Sequence, residues 1–191
     1  VKSPVRRIKR VKTAVVAKET FTDEQLEAVR TACHSARDSA IVDMLASTGM
    51  RIGELVNLDC NDIDFREREC IGKGIKQRPV YFDARTKQSL ITYLKTRNDS
   101  NPALFTTLSG EPRRATIDAI ESQLRSIGES CNAGRVHPHK FRRTLATHAI
   151  DKGMPIEQVQ KLLGHAKIDT TMRYAMVNQN NVKASHRKYL E

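Results

Sequence analysis

A chain of 191 residues with 33 lysines and arginines against 22 aspartates and glutamates has a net charge of +11, which favours a polyanionic partner such as nucleic acid. No apolar run reaches the roughly 18 residues that a membrane span needs, and the polar N-terminus lacks the apolar core of a signal peptide. These features exclude a membrane protein and predict a cytoplasmic one with a single well-buried core.

The positive charge is unevenly distributed. The first twelve residues contain no acidic side chain, and their basic ones are Lys2, Arg6, Arg7, Lys9, Arg10 and Lys12. The rest of the chain is only +5. The basic arm is therefore either a linker that contacts phosphate or an inert tail.

The four cysteines, Cys33, Cys60, Cys70 and Cys131, are widely spaced and form no C-x-x-C pair. This spacing argues against a zinc site or a disulfide framework and predicts reduced, mostly buried thiols. No metal or cofactor is expected.

Helical patterns begin after a linker formed by residues 1–19. Thr22 can cap the first helix and Gln25 can return the capping bond. The second helix should end at Gly49, and the third should begin around Arg51.

The pattern changes to a period of two between residues 61 and 82. Three strands are predicted, at residues 62–65, at a short Cys70-Ile71 and at residues 78–82, with Gly72-Lys73-Gly74 at a turn. Helical spacing then returns at residues 90–94 and 117–127, after Pro138 and after Pro155. The predicted fold class is mainly α with a small antiparallel β-sheet (α+β).

The last fifth of the chain concentrates residues that can do chemistry. His139 and Arg142 lie three positions apart on a predicted helix, so both can project from one face towards a common ligand. His165 follows a glycine at a helix end, and Tyr174 comes after Asp169-Thr170-Thr171, which we interpret as a helix cap. Each of these residues would be unremarkable alone.

Together with two upstream segments, this stretch resembles the catalytic domain of the tyrosine recombinase (phage integrase) family. The matching segments occur in the family's order over residues 20–178: Thr48-Gly49-Met50-Arg51-Ile52-Gly53-Glu54-Leu55, Gly72-Lys73-Gly74, His139-Lys140-Phe141-Arg142, Leu162-Leu163-Gly164-His165 and Thr170-Thr171-Met172-Arg173-Tyr174. The resemblance implies that family's catalytic-domain fold and its chemistry on DNA.

The resemblance implies that Tyr174 attacks a phosphodiester and forms a 3′-phosphotyrosyl link. A tyrosine is only about 0.1% phenolate at pH 7, so the site must supply roughly 4 kcal/mol or remove the proton during attack. Arg51 and Arg142 would clamp the non-bridging phosphate oxygens, and two guanidinium groups can replace the metal ions that other nucleases use.

The remaining roles implied by the resemblance concern proton transfer. Lys73 would be the general acid for the departing 5′-oxygen, His139 a base or phosphate ligand, and His165 a further hydrogen-bond donor. Lys73 is the weakest assignment on sequence grounds, because Lys76 and Arg78 lie on the same predicted hairpin. Glu54 fits equally a surface ion pair with Arg51 and a supporting role behind it.

Three other tyrosines are rival nucleophiles by chemistry alone. Tyr81 is on a predicted strand, Tyr93 is on a helix and Tyr189 is near the C-terminus, so we assign packing or terminal roles to them. The strand before Gly72 also looks shorter than is usual in the family.

Family members ordinarily carry a separate helical DNA-binding domain before the catalytic one. We therefore expect residues 1–19 to be a basic interdomain linker and residues 20–178 to be the catalytic domain alone. Residues 179–191 resemble the tail that family members pass to a neighbouring protomer, the alternative being a frayed terminus. The implied partners are double-stranded DNA and three further copies of the chain, assembled as a tetramer at the nucleoid.

Three functions remain open at this stage. The first is a metal-independent, site-specific recombinase, either the integrase of a phage or conjugative element or a resolvase of chromosome dimers. The second is a relaxing enzyme similar to type IB topoisomerases. The third is a DNA-binding module that kept the fold without catalysis, although all six positions still carry chemically competent residues.

Overall fold

Eight α-helices and one three-stranded sheet make up the part of the chain described by the computed structural model, residues 19–73, 77–165 and 167–175. For residues 169 and 173–175 only the backbone is described. The elements are α1 (Asp23–Thr31), α2 (Ala36–Thr48), α3 (Ile52–Val56), β1 (Ile63–Asp64), β2 (Glu69–Gly72), β3 (Arg78–Tyr81), α4 (Ala84–Thr96), α5 (Ile117–Ser130), α6 (Pro138–Asp151), α7 (Ile156–Leu163) and α8 (Ile168–Ala175). The predicted fold class is confirmed. The basic arm and the tail after residue 178 lie outside the described residues.

Local chemistry sets the helix ends that the sequence predicted. The Thr22 hydroxyl accepts from the backbone N–H of Gln25 at 3.2 Å, and the Gln25 side chain accepts from the N–H of Thr22 at 3.1 Å. Pro138 is the first residue of α6, where its missing N–H costs nothing. Gly49 ends α2 in the left-handed conformation, with φ of +57°.

Helix α2 is the centre of the core and packs against α4, α6 and β3. It is buried on almost every side, through Ala40, Ile41, Val42, Met44 and Leu45. A second, smaller cluster of Ala146, Val159 and Leu163 joins α6 to α7. The ends of α2, α6 and α7 are thereby brought close together. No helix within the described ranges is long and apolar enough to cross a bilayer.

The sheet has the order β1-β2-β3 and is antiparallel throughout. Gly72 is paired with Arg78, so the end of β2 lies directly beside the start of β3. Strand β2 is four residues long, rather than the two that the sequence suggested. Lys73 follows β2 immediately and therefore has its position set by this strand pair.

The prediction of a helix cap at Asp169-Thr170-Thr171 is wrong. Helix α8 begins at Ile168, so these residues lie within its first turn. Thr171 is fully buried. Its hydroxyl is therefore used inside the fold rather than at a helix end.

The four cysteines are free thiols, but only Cys70 is buried and the other three are half-buried. Burial raises the pKa of Cys70 to about 12 and that of Cys33 to about 11. Both thiols remain protonated at neutral pH and behave as small apolar groups.

Gly49 is required both for its backbone conformation and for its lack of a side chain. An added Cβ would lie 2.8 Å from Leu145 Cδ2. We expect Gly49→Ala to lower the free energy of unfolding by about 2–4 kcal/mol, because a left-handed alanine costs about 1–2 kcal/mol and overpacking adds a comparable amount. Urea unfolding curves measure this change.

Gly110→Ala is the matched control, since Gly110 has φ of +72° but no atom within 4 Å of an added Cβ. Its free energy of unfolding should fall only by the cost of the left-handed alanine, without the overpacking contribution. Equal losses in the two variants would show that packing against Leu145 does not matter.

Candidate active site

A groove of about 1600 Å³ lies between the sheet and the C-terminal end of α7. Four of the six predicted site residues line it, namely Arg51, Lys73, His139 and His165. They come from the residue before α3, the end of β2, the first turn of α6 and the segment after α7. The fold thus brings residues from both halves of the chain to one surface.

Three guanidinium groups converge on the C-terminal end of α7. Each donates to one of three successive carbonyl oxygens: Arg78 to Leu162 at 2.6 Å, Arg142 to Leu163 at 2.5 Å and Arg51 to Gly164 at 3.1 Å. The last carbonyls of a helix lack intrahelical partners and carry the negative end of its dipole. Cationic donors are therefore stabilised at this point.

Arg142 is buried rather than open to the groove, with only 4% of its surface exposed. Its second amino group donates to the carbonyl of Gly49 at 2.7 Å. The sequence predicted that His139 and Arg142 project together from one helix face. His139 is exposed in the groove. Arg142 is instead held between the ends of α2 and α7, because a buried guanidinium needs acceptors.

Glu54 is buried, 4% exposed, and bonds two arginines. One carboxylate oxygen accepts from Arg51 Nη1 at 3.0 Å, and the other accepts from Arg78 Nη2 at 3.2 Å. The interpretation of Glu54 as a surface ion pair is therefore wrong. The carboxylate binds Nη1 of the Arg51 guanidinium, while 47% of the Arg51 side chain remains exposed to the groove.

Lys73 is held by two carboxylates. Its ammonium lies 2.7 Å from Asp59 Oδ2 and 2.5 Å from Asp62 Oδ2. Asp59 also forms an ion pair with Arg114. Hydrogen bonds from Asp59 and then Asp62 raise the pKa of Lys73, because both favour its charged form.

His165 is a neutral ring beside the arginines. Burial first, and then the nearby charges of Arg142, Arg51 and Arg78, together lower its pKa to about 4. Its Nδ1 lies 2.8 Å from the hydroxyl of Thr171 on α8. This contact ties the end of α7 to the helix that carries Tyr174.

Tyr174 belongs to the last turn of α8, and its side chain lies outside the described residues. Helix α8 packs against α6 and α7, the two helices adjoining the arginine cluster. The backbone of the predicted nucleophile is therefore on an element next to the groove.

The assignment of Tyr81 to a packing role is wrong. Its side chain is 54% exposed and lines the groove from strand β3. Tyr93, by contrast, is buried and stacks on Phe105 with ring centroids 5.6 Å apart. Tyr189 lies outside the described residues.

Sequence reasoning missed three groups that contact the predicted site residues. The sequence indicates Arg78 only as a basic neighbour of Lys73 on the same hairpin. It does not indicate that Asp59 and Asp62 are the partners of Lys73. The pairing of Gly72 with Arg78 would indicate that Arg78 lies beside the segment of Lys73. This pairing can be read only after the register of β2 and β3 is known. No spacing rule links Lys73 to acids eleven and fourteen residues earlier.

Comparison with known proteins identifies the family. The sequence model of the phage integrase family matches residues 19–181. The chain belongs to the phage integrase family. Tyrosine recombinase XerC of Staphylococcus aureus (strain MSSA476) is 33% identical over 175 residues, covering 85% of this chain. The chain spans 58% of the length of that relative.

Solved structures agree with the family assignment. XerA recombinase superposes with a TM-score of 0.79 at 29% identity, over 93% of this chain and 65% of XerA. XerH, in a post-cleavage complex with a palindromic difH substrate, superposes with a TM-score of 0.75, over 98% of this chain and 58% of XerH. At 21% identity, the second similarity shows the shared fold alone.

In this member of the phage integrase family, the ring of His165 should titrate near pH 4. Its pKa in the folded chain lies below the ordinary 6.5, so protons bind more readily to the unfolded chain. The ring therefore contributes stability that is present above pH 6.5 and is lost as the pH falls towards 4. NMR titration of the ring signal that disappears in His165→Gln measures the midpoint.

A midpoint near 6.5 would show that burial and the arginines do not act on His165. The ring of His137, whose pKa is also lowered to about 4, is assigned separately with His137→Gln so that the two titrations are not confused.

Proposed function

We propose that this chain acts as the catalytic domain of a site-specific recombinase that cuts and rejoins double-stranded DNA through a 3′-phosphotyrosyl intermediate. The observation that carries the proposal is the convergence of Arg51, Lys73, His139 and His165 on one groove. Arg142 donates to the carbonyl of Leu163, at the end of α7, and Tyr174 lies on the adjoining helix α8.

The scissile phosphate binds where the arginines meet the end of α7. Arg51 is the half-exposed member of the cluster, and one of its amino groups now donates to the carbonyl of Gly164. A phosphate oxygen carries more negative charge than a carbonyl oxygen and is the stronger acceptor. Arg51 by contact, and the buried Arg142 by its charge, then stabilise the negative charge that develops on the non-bridging oxygens of the five-coordinate phosphorus.

Cleavage transfers the phosphate to Tyr174. The tyrosine oxygen attacks phosphorus and gives up its proton to His139, the bond from phosphorus to the 5′-oxygen breaks, and the departing oxygen takes a proton from Lys73. His165 is neutral at pH 7, and it binds phosphate as a hydrogen-bond donor rather than as a cation.

Rejoining is the reverse of cleavage. A 5′-hydroxyl attacks the phosphotyrosyl ester and gives its proton back to Lys73, the bond from phosphorus to the tyrosine oxygen breaks, and Tyr174 takes its proton back from His139. Because the ester conserves the energy of the phosphodiester, no ATP is needed. A hydroxyl from a different strand gives recombination.

The remaining parts of the proposal concern extent and assembly. Residues 20–178 form the catalytic unit, residues 1–19 a basic linker, and residues 179–191 a tail exchanged between four copies on DNA at the nucleoid. The family match over residues 19–181 supports the first boundary. The XerH complex with difH substrate supports duplex DNA as the partner. Both an integrase of a mobile element and a resolvase of chromosome dimers fit this proposal.

Tyr174→Phe should abolish covalent attachment to DNA, because it removes the attacking oxygen and leaves the ring in place. The substrate is a pool of short nicked suicide duplexes randomised around the nick, from which the cut fragment diffuses away. Covalent adducts are counted on denaturing gels, and their DNA is sequenced to recover the preferred site.

Tyr81→Phe is the matched variant, since Tyr81 is the exposed tyrosine on the wall of the groove. It should form adducts as the unaltered chain does. Absence of any adduct with the unaltered chain, or an adduct lost in Tyr81→Phe but kept in Tyr174→Phe, would contradict the mechanism. Relaxation of supercoiled circles without recombinant products would favour the topoisomerase-like alternative.

Binding to duplex DNA should be weak and should fall steeply with salt, because phosphate contacts dominate the affinity. Lys161 is an exposed lysine of the groove lining on α7. We expect Lys161→Ala to reduce the slope of log affinity against log salt by about 1, the value for one lost phosphate contact. Fluorescence anisotropy on a labelled duplex gives the slope.

Lys95→Ala is the control, because Lys95 is an exposed lysine on α4 outside the groove lining. Its slope should match that of the unaltered chain. A binding constant that hardly changes between low and physiological salt would count against phosphate-dominated binding.

A further inference from the structure

Arg78 is a basic residue of the groove that the proposed mechanism does not use. Its side chain is only 14% exposed, and it joins three separate segments. It lies at the start of β3, donates to the carbonyl of Leu162 at 2.6 Å and donates to Glu54 at 3.2 Å. Each of these segments lies next to a predicted site residue. Lys73 follows β2, the strand paired with β3, while Arg51 precedes the helix of Glu54 and His165 follows the end of α7.

We propose that Arg78 is a positioning residue for strand cleavage, which fixes the strand pair carrying Lys73 against Glu54 and the end of α7. Lys73 follows Gly72, and Gly72 is paired with Arg78 across the sheet. The side chain of Arg78 thereby links the general acid to the part of the groove that holds the phosphate. This inference rests on the proposed function.

The two glycines that face Arg78 support this role. A Cβ added to Gly164 would lie 2.6 Å from Arg78 Nε and 2.9 Å from its Cδ. A Cβ added to Gly72 would lie 3.8 Å from Arg78 Cγ. Arg78 therefore packs directly against Gly72 and occupies space that exists only because Gly164 lacks a side chain.

The charge of Arg78 also matters for Glu54. A buried carboxylate is stabilised only if it is paired and hydrogen-bonded. Glu54 uses one oxygen for Arg51 Nη1 and the other for Arg78 Nη2 and the backbone N–H of Arg51. Loss of Arg78 leaves that second oxygen with the Arg51 N–H, which weakens the hold on the Arg51 fork.

Arginine is required here because the two acceptors belong to different segments. The planar guanidinium places two amino groups in a fixed fork, so it can bond the Leu162 carbonyl and the Glu54 carboxylate together. A lysine has the charge but only one nitrogen on a flexible stem. It can bond one acceptor well or neither.

The test compares Arg78→Lys and Arg78→Met with the unaltered chain in single-turnover cleavage of a suicide duplex, made from the sequence recovered with the randomised pool. Both variants should cleave about 10- to 100-fold more slowly, since a small misplacement of reacting groups costs that much. Their affinity for the uncleaved duplex should hardly change, because Arg78 is mostly buried and contacts protein acceptors.

Replacing the scissile 5′-oxygen with sulfur tests whether the defect passes through Lys73. A thiolate leaves without receiving a proton, so a misplaced general acid matters less on this substrate. The Arg78 variants should recover most of the lost rate with sulfur. An equal defect on the oxygen and sulfur substrates would overturn the proposal.

Arg97→Lys is the matched control for stability. Arg97 is 8% exposed and bonds the carboxylate of Asp99 and the carbonyls of Asn101 and Ala103, in a loop outside the groove lining. Arg97→Lys should unfold at a lower urea concentration than the unaltered chain. Its folded fraction should still cleave the duplex at the rate of the unaltered chain.

The outcomes separate the two proposals. No adduct with the unaltered chain would refute the proposed function itself. An adduct with the unaltered chain, formed equally fast by both Arg78 variants, would leave that function standing and refute the role of Arg78. Arg78→Lys keeps the charge next to Glu54, so it remains informative if Arg78→Met does not fold.

Discussion

The interaction on which the rest of the site depends is the capping of α7 by three arginines. A helix leaves its last carbonyl oxygens without partners, and here Leu162, Leu163 and Gly164 receive one guanidinium each. The donors come from β3, from α6 and from the residue before α3. One helix end therefore holds together the sheet, the central helices and the segment that carries Arg51. The left-handed Gly164 lets the chain turn immediately afterwards, so that His165 lies beside the same cluster.

This arrangement places three guanidinium groups close together at one helix end. Glu54 is the buried carboxylate within the cluster, and it is shared between Arg51 and Arg78. The carbonyl oxygens contribute only partial charges. In the proposed complex a bound phosphate adds negative charge to the cluster, and Arg51 is exposed enough to reach it while Arg142 stays buried. Burial first, and then the same positive charges, lower the pKa of His165 and keep its ring neutral. The proposed preference for a phosphodiester thus follows from the positive charge that the fold concentrates at this helix end.

Sequence reasoning succeeded where the chemistry is local. The Thr22 capping box, the stop at Gly49 and the start of α6 at Pro138 each depend on residues within one turn of one another. The family motifs then indicated which polar residues meet. Sequence reasoning failed where strand register and side-chain burial decide the outcome. The exposure of Tyr81 depends on which face of β3 meets the core, and the role of Thr171 depends on where α8 begins. The partners of Lys73 come from a segment whose approach no periodicity encodes.

In the proposed mechanism, the position of Lys73 connects DNA binding to proton transfer. A lysine between Asp59 and Asp62 is held in its charged form, which makes it a weaker proton donor than a free lysine. A general acid acts best when its pKa is near the working pH, so the ion pairs must open before the 5′-oxygen leaves. Asp59 keeps Arg114 as a second partner and therefore does not lose all compensation when Lys73 departs. Approach of the negatively charged DNA backbone favours this exchange, because it offers Lys73 a new anionic partner in the groove. On this reasoning, Lys73 leaves its two carboxylates for the departing 5′-oxygen only when the substrate is in place.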